Sequence, residues 1–144
     1  MKKIDELLKL NALAWECIFS FRRAERRIKP LEESAIINEG LTSTQFAVLE
    51  TLFREGDLKV KDVLNATLVT SGNMTVVIRN LERDGYITRR NDSKDKRKTI
   101  LSLTEKGENK VLKILPYQIE NISKIFTVFN EEEKNTFINL LKKL

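Results

Sequence analysis

At Gly85 the hydrophobic period of this chain changes, and at Thr104 it changes back. Up to Gly85 apolar side chains recur at helical spacing. Tyr86–Arg90 and Thr99–Leu103 are instead short runs rich in β-branched and apolar residues, the pattern of strands. From Thr104 the helical spacing resumes. Such a chain is mainly α with a small β ribbon, an α+β fold. Only two prolines and five glycines occur in 144 residues, so little else interrupts its helices. That length supports one domain with a substantial core.

Helix boundaries follow from local chemistry. Residues about 4–28 repeat Ile4, Leu7, Ala14, Ile18, Phe21 and Ile28 in a heptad-like stripe interrupted by Asn11 and Glu25. A second stripe, Leu10, Leu13, Cys17 and Ala24, runs beside it, and between positions 10 and 21 only Asn11, Glu16 and Ser20 are polar. A helix so apolar around its circumference needs partners on more than one side. Its own core covers one side; a second chain is available for the other. Thr42 and Gln45 form a capping box ahead of Phe46, Leu49, Leu52 and Phe53. A short helix over about Lys59–Ala66 buries Val60, Val63 and Leu64. A tight turn through Thr67–Thr70 then leads to a helix over about Ser71–Asp84, striped by Met74, Val77, Ile78 and Leu81. Thr104 caps a long helix to about Phe129 that Pro116 is expected to kink. Asn130 with Glu133 caps the last, which carries Phe137, Leu140, Leu141 and Leu144. Gly40, Gly56 and Gly85 stand where helices stop.

Composition excludes several chemistries. With no histidine and one cysteine, a His general acid, a His or Cys metal cluster, a Cys/His nucleophile pair and an intrachain disulfide all lack their parts. The glycines form neither GxGxxG nor a Walker pattern. Glu131-Glu132-Glu133 sits at a helix start, where acids favour the macrodipole. No enzyme, cofactor or metal site is expected. Apolar runs reach four residues at most, Ala12–Trp15 and Phe46–Leu49, and MKKIDELLKL is not a signal peptide. The expectation is a soluble, cytoplasmic protein with no membrane partner.

The net charge of +5 is unevenly placed. Residues 1–30 and 70–100 each carry eight basic and four acidic side chains, whereas residues 31–69 carry three and seven. The first basic concentration, Arg22, Arg23, Arg26, Arg27 and Lys29, reads as a solvated helix end. The second, Arg89, Arg90, Lys94, Lys96, Arg97 and Lys98, lies around an eight-residue apolar-free connection, Asn91–Lys98, longer than a hairpin needs. Helix, short helix, tight turn, helix and then a ribbon with a basic tip compose a winged helix-turn-helix. With Met74, Val77, Ile78 and Leu81 turned inward, Gly72, Asn73, Val76, Arg79, Asn80 and Arg83 face out, suited to docking in a major groove. Asparagine pairs two-pronged with adenine and arginine with guanine. Arg97 at the tip fits the narrow, negative minor groove, with Asp95 to hold its guanidinium. Double-stranded DNA is the expected partner.

Thr44-Gln45-Phe46-Ala47-Val48-Leu49, Ser71-x-x-x-Thr75, Leu81-Glu82-x-x-Gly85-Tyr86-Ile87-x-Arg89, Asp95-Lys96-Arg97 and Leu103-Thr104-Glu105-Lys106-Gly107 occur in order over nearly the whole chain. In this the sequence resembles the MarR family of bacterial transcription regulators. The resemblance implies one MarR-type domain over 1–144: a winged lobe at 41–104 flanked by dimerisation helices at 1–30 and 105–144. It implies a homodimer reading a pseudo-palindromic operator, with Ser71, Gly72, Asn73, Thr75, Val76, Arg79, Asn80, Arg83, Arg89, Lys94, Asp95, Lys96 and Arg97 at the DNA. Val76 stands where many members have arginine and can meet a thymine methyl instead. A crevice for a small effector, phenolic or aromatic, is implied near Trp15, Phe19 and Arg22. Cys17 has no cation among its helical neighbours and reads as a buried, inert thiol. The resulting expectation is a repressor released by its ligand. The alternatives are a ligand-insensitive DNA-binding regulator and a winged-helix protein-interaction module.

Overall fold

A computed structural model describes residues 2–67, 74–91 and 99–144. In chain order these give α1 (Lys2–Leu10), α2 (Ala12–Asn38), α3 (Ser43–Glu55), β1 (Leu58–Lys59), α4 (Val60–Ala66), α5 (Met74–Arg83), β2 (Ile87–Asn91), β3 (Thr99–Leu103), α6 (Glu105–Ile125) and α7 (Glu131–Leu141). A single 3-10 turn, Phe126–Val128, separates the last two helices.

Both capping boxes form. The Gln45 amide donates to the Thr42 hydroxyl at 3.2 Å while the Gln45 side chain accepts from the Thr42 amide at 2.9 Å. Asn130 and Glu133 exchange the same two bonds, each at 2.9 Å. Helices α2 and α5 end in Schellman motifs. At the second, the amides of Gly85 and Tyr86 donate to the carbonyls of Glu82 and Leu81, with Gly85 at φ +75°, open to glycine at little cost.

The chain divides into two compact units, Ser34–Glu120 and Met1–Glu33 with Asn121–Leu144. The first holds the core. Phe46, Val48, Leu49 and Leu52 of α3 pack with Val63 of α4, the Met74, Val77, Ile78 and Leu81 stripe of α5, Ile87, Leu101, Val111 and Ile114. Burial of each large side chain contributes roughly 1.5–3 kcal/mol. A seam of hydrogen bonds joins the α5–β2 turn to the start of α6. The Thr104 hydroxyl donates to the Gly85 carbonyl at 2.7 Å, the Thr104 amide donates to Tyr86 at 3.1 Å, and the Lys106 ammonium reaches the Asp84 carbonyl at 2.7 Å.

The second unit is different in kind. Every described side chain from Lys3 to Arg27 is exposed. Phe126, Phe129 and Phe137 cluster with ring centroids 6.0–6.4 Å apart, fastening the 3-10 turn to α7. No helix among the described residues is long and apolar enough to cross a membrane.

Several boundaries depart from the sequence expectation. The first helix divides at Asn11, whose side-chain amide donates to the Leu7 carbonyl at 2.8 Å beside its own backbone amide at 3.1 Å, so one carbonyl serves two donors. It then runs through Pro30 to Asn38 rather than ending near residue 28. Pro30 and Arg26 lie on an exposed stretch of the helix, where the carbonyl that loses the proline's N–H is not sealed in a core and the lost bond costs less. The long helix ends at Ile125, not Phe129. The ribbon gains a third strand: the sheet order is β1-β3-β2, antiparallel throughout, with Leu58 opposite Leu101 and Arg90 opposite Ile100. Cys17 is exposed, correcting the buried thiol expected of it, because none of the described residues covers that face of α2.

Candidate nucleic-acid interface

Helix α5 owes its orientation to its sequence. Met74, Val77, Ile78 and Leu81 recur every three or four residues and are all buried. The same periodicity leaves Thr75, Val76, Arg79 and Arg83 exposed and Asn80 half-buried. The outward face is thus polar, cationic and interrupted by one aliphatic side chain, Val76, 45% exposed. Arg83 is held by its neighbour, its guanidinium contacting Asp84 at 2.8 and 3.1 Å. That contact lowers the Asp84 pKa and raises that of Arg83.

The ribbon presents Arg89 and Arg90 beside this helix. Arg89 meets Glu82 of α5 at 2.6 Å, and Arg90 meets Asp57, between α3 and β1, at 2.9 Å. Asp57 lies below the usual carboxylate range, first through the hydrogen bond from Arg90 and then through one from Ser102. Arg89, Arg90, Asn91 and Thr99 line an open depression of about 380 Å³. The expected site residues Ser71, Gly72, Asn73, Lys94, Asp95, Lys96 and Arg97 lie outside the described residues. Those that are described, Thr75, Val76, Arg79, Asn80, Arg83 and Arg89, are brought together on α5 and the adjoining strand.

Trp15 and Phe19 stack at 5.5 Å with planes 23° apart, yet both rings are nearly half exposed rather than core. Arg22, one turn further along, is exposed too. Four participants escaped the sequence-based site list: Glu82, Arg90, Asp57 and Ser102, although Arg90 stood out as part of the second basic concentration. Glu82 was visible as part of a motif; Asp57 and Ser102 carried no local signal, since the residues they meet lie tens of positions away.

Comparison with known proteins agrees with this geometry. The profile described as the MarR family matches residues 41–99. The chain is 37% identical over 126 residues to the uncharacterized HTH-type transcriptional regulator YkoM of Bacillus subtilis strain 168, covering 85% of this chain and 82% of that protein. It is 33% identical over 122 residues to the HTH-type transcriptional regulator MhqR of the same organism, covering 85% and 84%. Among solved structures it is similar to BpsR of Bordetella bronchiseptica, whose DNA binding is regulated by 6-hydroxynicotinic acid. There the TM-score is 0.79 at 28% identity, covering 87% of this chain and 89% of that one.

Proposed function

The chain belongs to the MarR family of helix-turn-helix transcriptional regulators and is not an enzyme; from this we propose that it is a homodimeric repressor of a pseudo-palindromic operator, released by a small aromatic ligand. The observation that carries the proposal is the division of α5 into a buried apolar stripe and an exposed face of Thr75, Val76, Arg79 and Arg83. That helix is the reading element. Ser71, Gly72, Asn73 and Lys94 to Arg97, outside the described residues, are assigned to the DNA on the strength of the sequence motifs.

Dimerisation is supported by the helices outside the core. Ile4, Leu10 and Leu13 are 62%, 77% and 79% exposed, more apolar surface than a lone chain leaves in water without reason. Two lobes held about 34–36 Å apart engage two half-sites together. A ligand that binds the DNA-incompetent spacing more tightly than the competent one empties the operator. The stacked Trp15–Phe19 pair with Arg22 at the next turn suits a planar aromatic acid, and the regulation of BpsR by 6-hydroxynicotinic acid supports that class.

Operator titration over a range of salt tests this. Arg97→Ala is expected to weaken binding and lower the slope of log K against log salt by about 0.9, one phosphate contact's worth. Asn73→Ala is expected to relax base preference at one position by about 1–3 kcal/mol. Unchanged binding in both would remove the reading.

A further inference from the structure

Arg89 and Arg90 are consecutive, so they leave β2 on opposite faces of the sheet. Arg89 shares its face with buried Ile87 and stands opposite buried Leu101. From there it turns to α5, where its guanidinium meets Glu82 at 2.6 Å. Arg90 is on the other face. The register that pairs Leu58 with Leu101 brings Asp57 beside Ser102, and Ser102 lies diagonally from Arg90. The Asp57 carboxylate accepts from Arg90 at 2.9 Å and also from the Ser102 hydroxyl. The bridge therefore crosses the sheet from β2 over β3 to the entry of β1.

Both carboxylates sit where simple electrostatics disfavours them. Glu82 lies in the last turn of α5, at the negative end of the helix dipole. Each also lies on a lobe that faces a polyanion, where an acid opposes binding. What each supplies is a fixed anchor for an arginine on β2, close to the end of the described strand at Asn91.

We propose that Glu82–Arg89 and Asp57–Arg90 form a two-sided brace that sets the angle of the β2–β3 ribbon against the recognition helix. Glu82 and Asp57 are then positioning residues for sequence recognition, and Arg89 and Arg90 act through them rather than on phosphate. This rests on the DNA-reading assignment made above. Specific binding requires α5 and the ribbon to enter their grooves together, so an unbraced ribbon must be ordered at the moment of binding. Non-specific binding needs only charge and gains when an acid is removed.

The test uses a duplex selected from a randomised pool by the unaltered protein and a scrambled duplex of equal composition. Affinities for both are measured across salt for Glu82→Gln, Asp57→Asn, Arg89→Gln and Arg90→Gln. Two charge exchanges complete the set: Glu82→Arg with Arg89→Glu, and Asp57→Arg with Arg90→Asp. The brace predicts that each amide variant lowers the selected-to-scrambled ratio about two- to five-fold, the range of an exposed ion pair. The salt slope stays unchanged, and the exchange, which keeps net charge, recovers most of the loss. All these side chains are partly exposed and the exchanges preserve the pairs, so a folding defect in one single variant leaves the exchange to decide. A slope lowered by about 0.9 in an arginine variant, with no recovery on exchange, makes the arginines phosphate contacts and overturns the brace. So does an unchanged ratio in both Glu82→Gln and Asp57→Asn. Failure of the unaltered protein to enrich any sequence overturns the DNA-reading assignment, and the brace with it.

Discussion

Gly107 shows how a single missing methyl group holds two elements in place. A Cβ at this position would run into the Tyr86 carbonyl oxygen and come within 2.8 Å of Leu103 Cδ1. The first obstacle is backbone, which cannot turn aside as a side chain does. Gly107→Ala is therefore predicted to destabilise the protein by about 2–3 kcal/mol, the upper range for overpacking, read as a lower urea midpoint at unchanged m. At Gly85 an added Cβ meets only Lys106 Cδ at 3.9 Å, so the penalty there comes from φ +75° alone. Gly85→Ala is expected to cost about 1–2 kcal/mol, less than Gly107→Ala in the same titration.

Between elements, the junction of α2 with α6 is governed by Glu39. It stands just past the end of α2 and meets Lys110 at 2.9 Å and Lys113 at 2.8 Å. Hydrogen bonds from Lys113 and then Lys110 hold its carboxyl below the ordinary value of 4.5. The unfolded chain therefore takes up this proton more readily than the folded one. The contribution is complete above 4.5 and is lost as falling pH passes the lowered folded value. The urea midpoint of the unaltered protein should exceed that of Glu39→Gln at neutral pH, and the two should converge in strong acid. A constant gap at every pH would remove the ion pair as its cause. This junction also marks the limit of what the sequence discloses. Capping boxes, glycine stops and the α5 stripe were legible because their partners lie within four residues. Strand β1 was not, since two residues carry no period and its partner is some forty positions away. Lys110 lies 71 positions from Glu39 and Arg90 lies 33 from Asp57, so neither pair leaves a local mark. The apolar stripe stops short near residue 28, whereas α2 runs on through exposed Pro30 to Asn38, because the stripe marks only the residues that repeat on one face and not the helix's full length.

For the molecule as a whole, the exposed apolar side chains of α1 and the first half of α2 make the proposed dimer testable through the dependence of stability on concentration. If a second copy covers Leu10, Leu13 and Ile18, sedimentation at micromolar protein will show dimers and the melting temperature will rise with concentration. Leu13→Asp is expected to raise the dimer dissociation constant at least about tenfold, equivalent to ~1.4 kcal/mol. A monomer with a concentration-independent melt would discard the dimer. One local feature constrains any large-scale movement. The carbonyls of Asp84, Gly85 and Tyr86 are all engaged by Lys106 and Thr104 from the opposite side of the turn. A pivot needs backbone groups that trade partners cheaply, and this knot has none to spare. If a ligand empties the operator as proposed, the bending is expected elsewhere along the chain, and deuterium is expected to enter the amides of Tyr86, Thr104 and Gly107 at one common, slow rate.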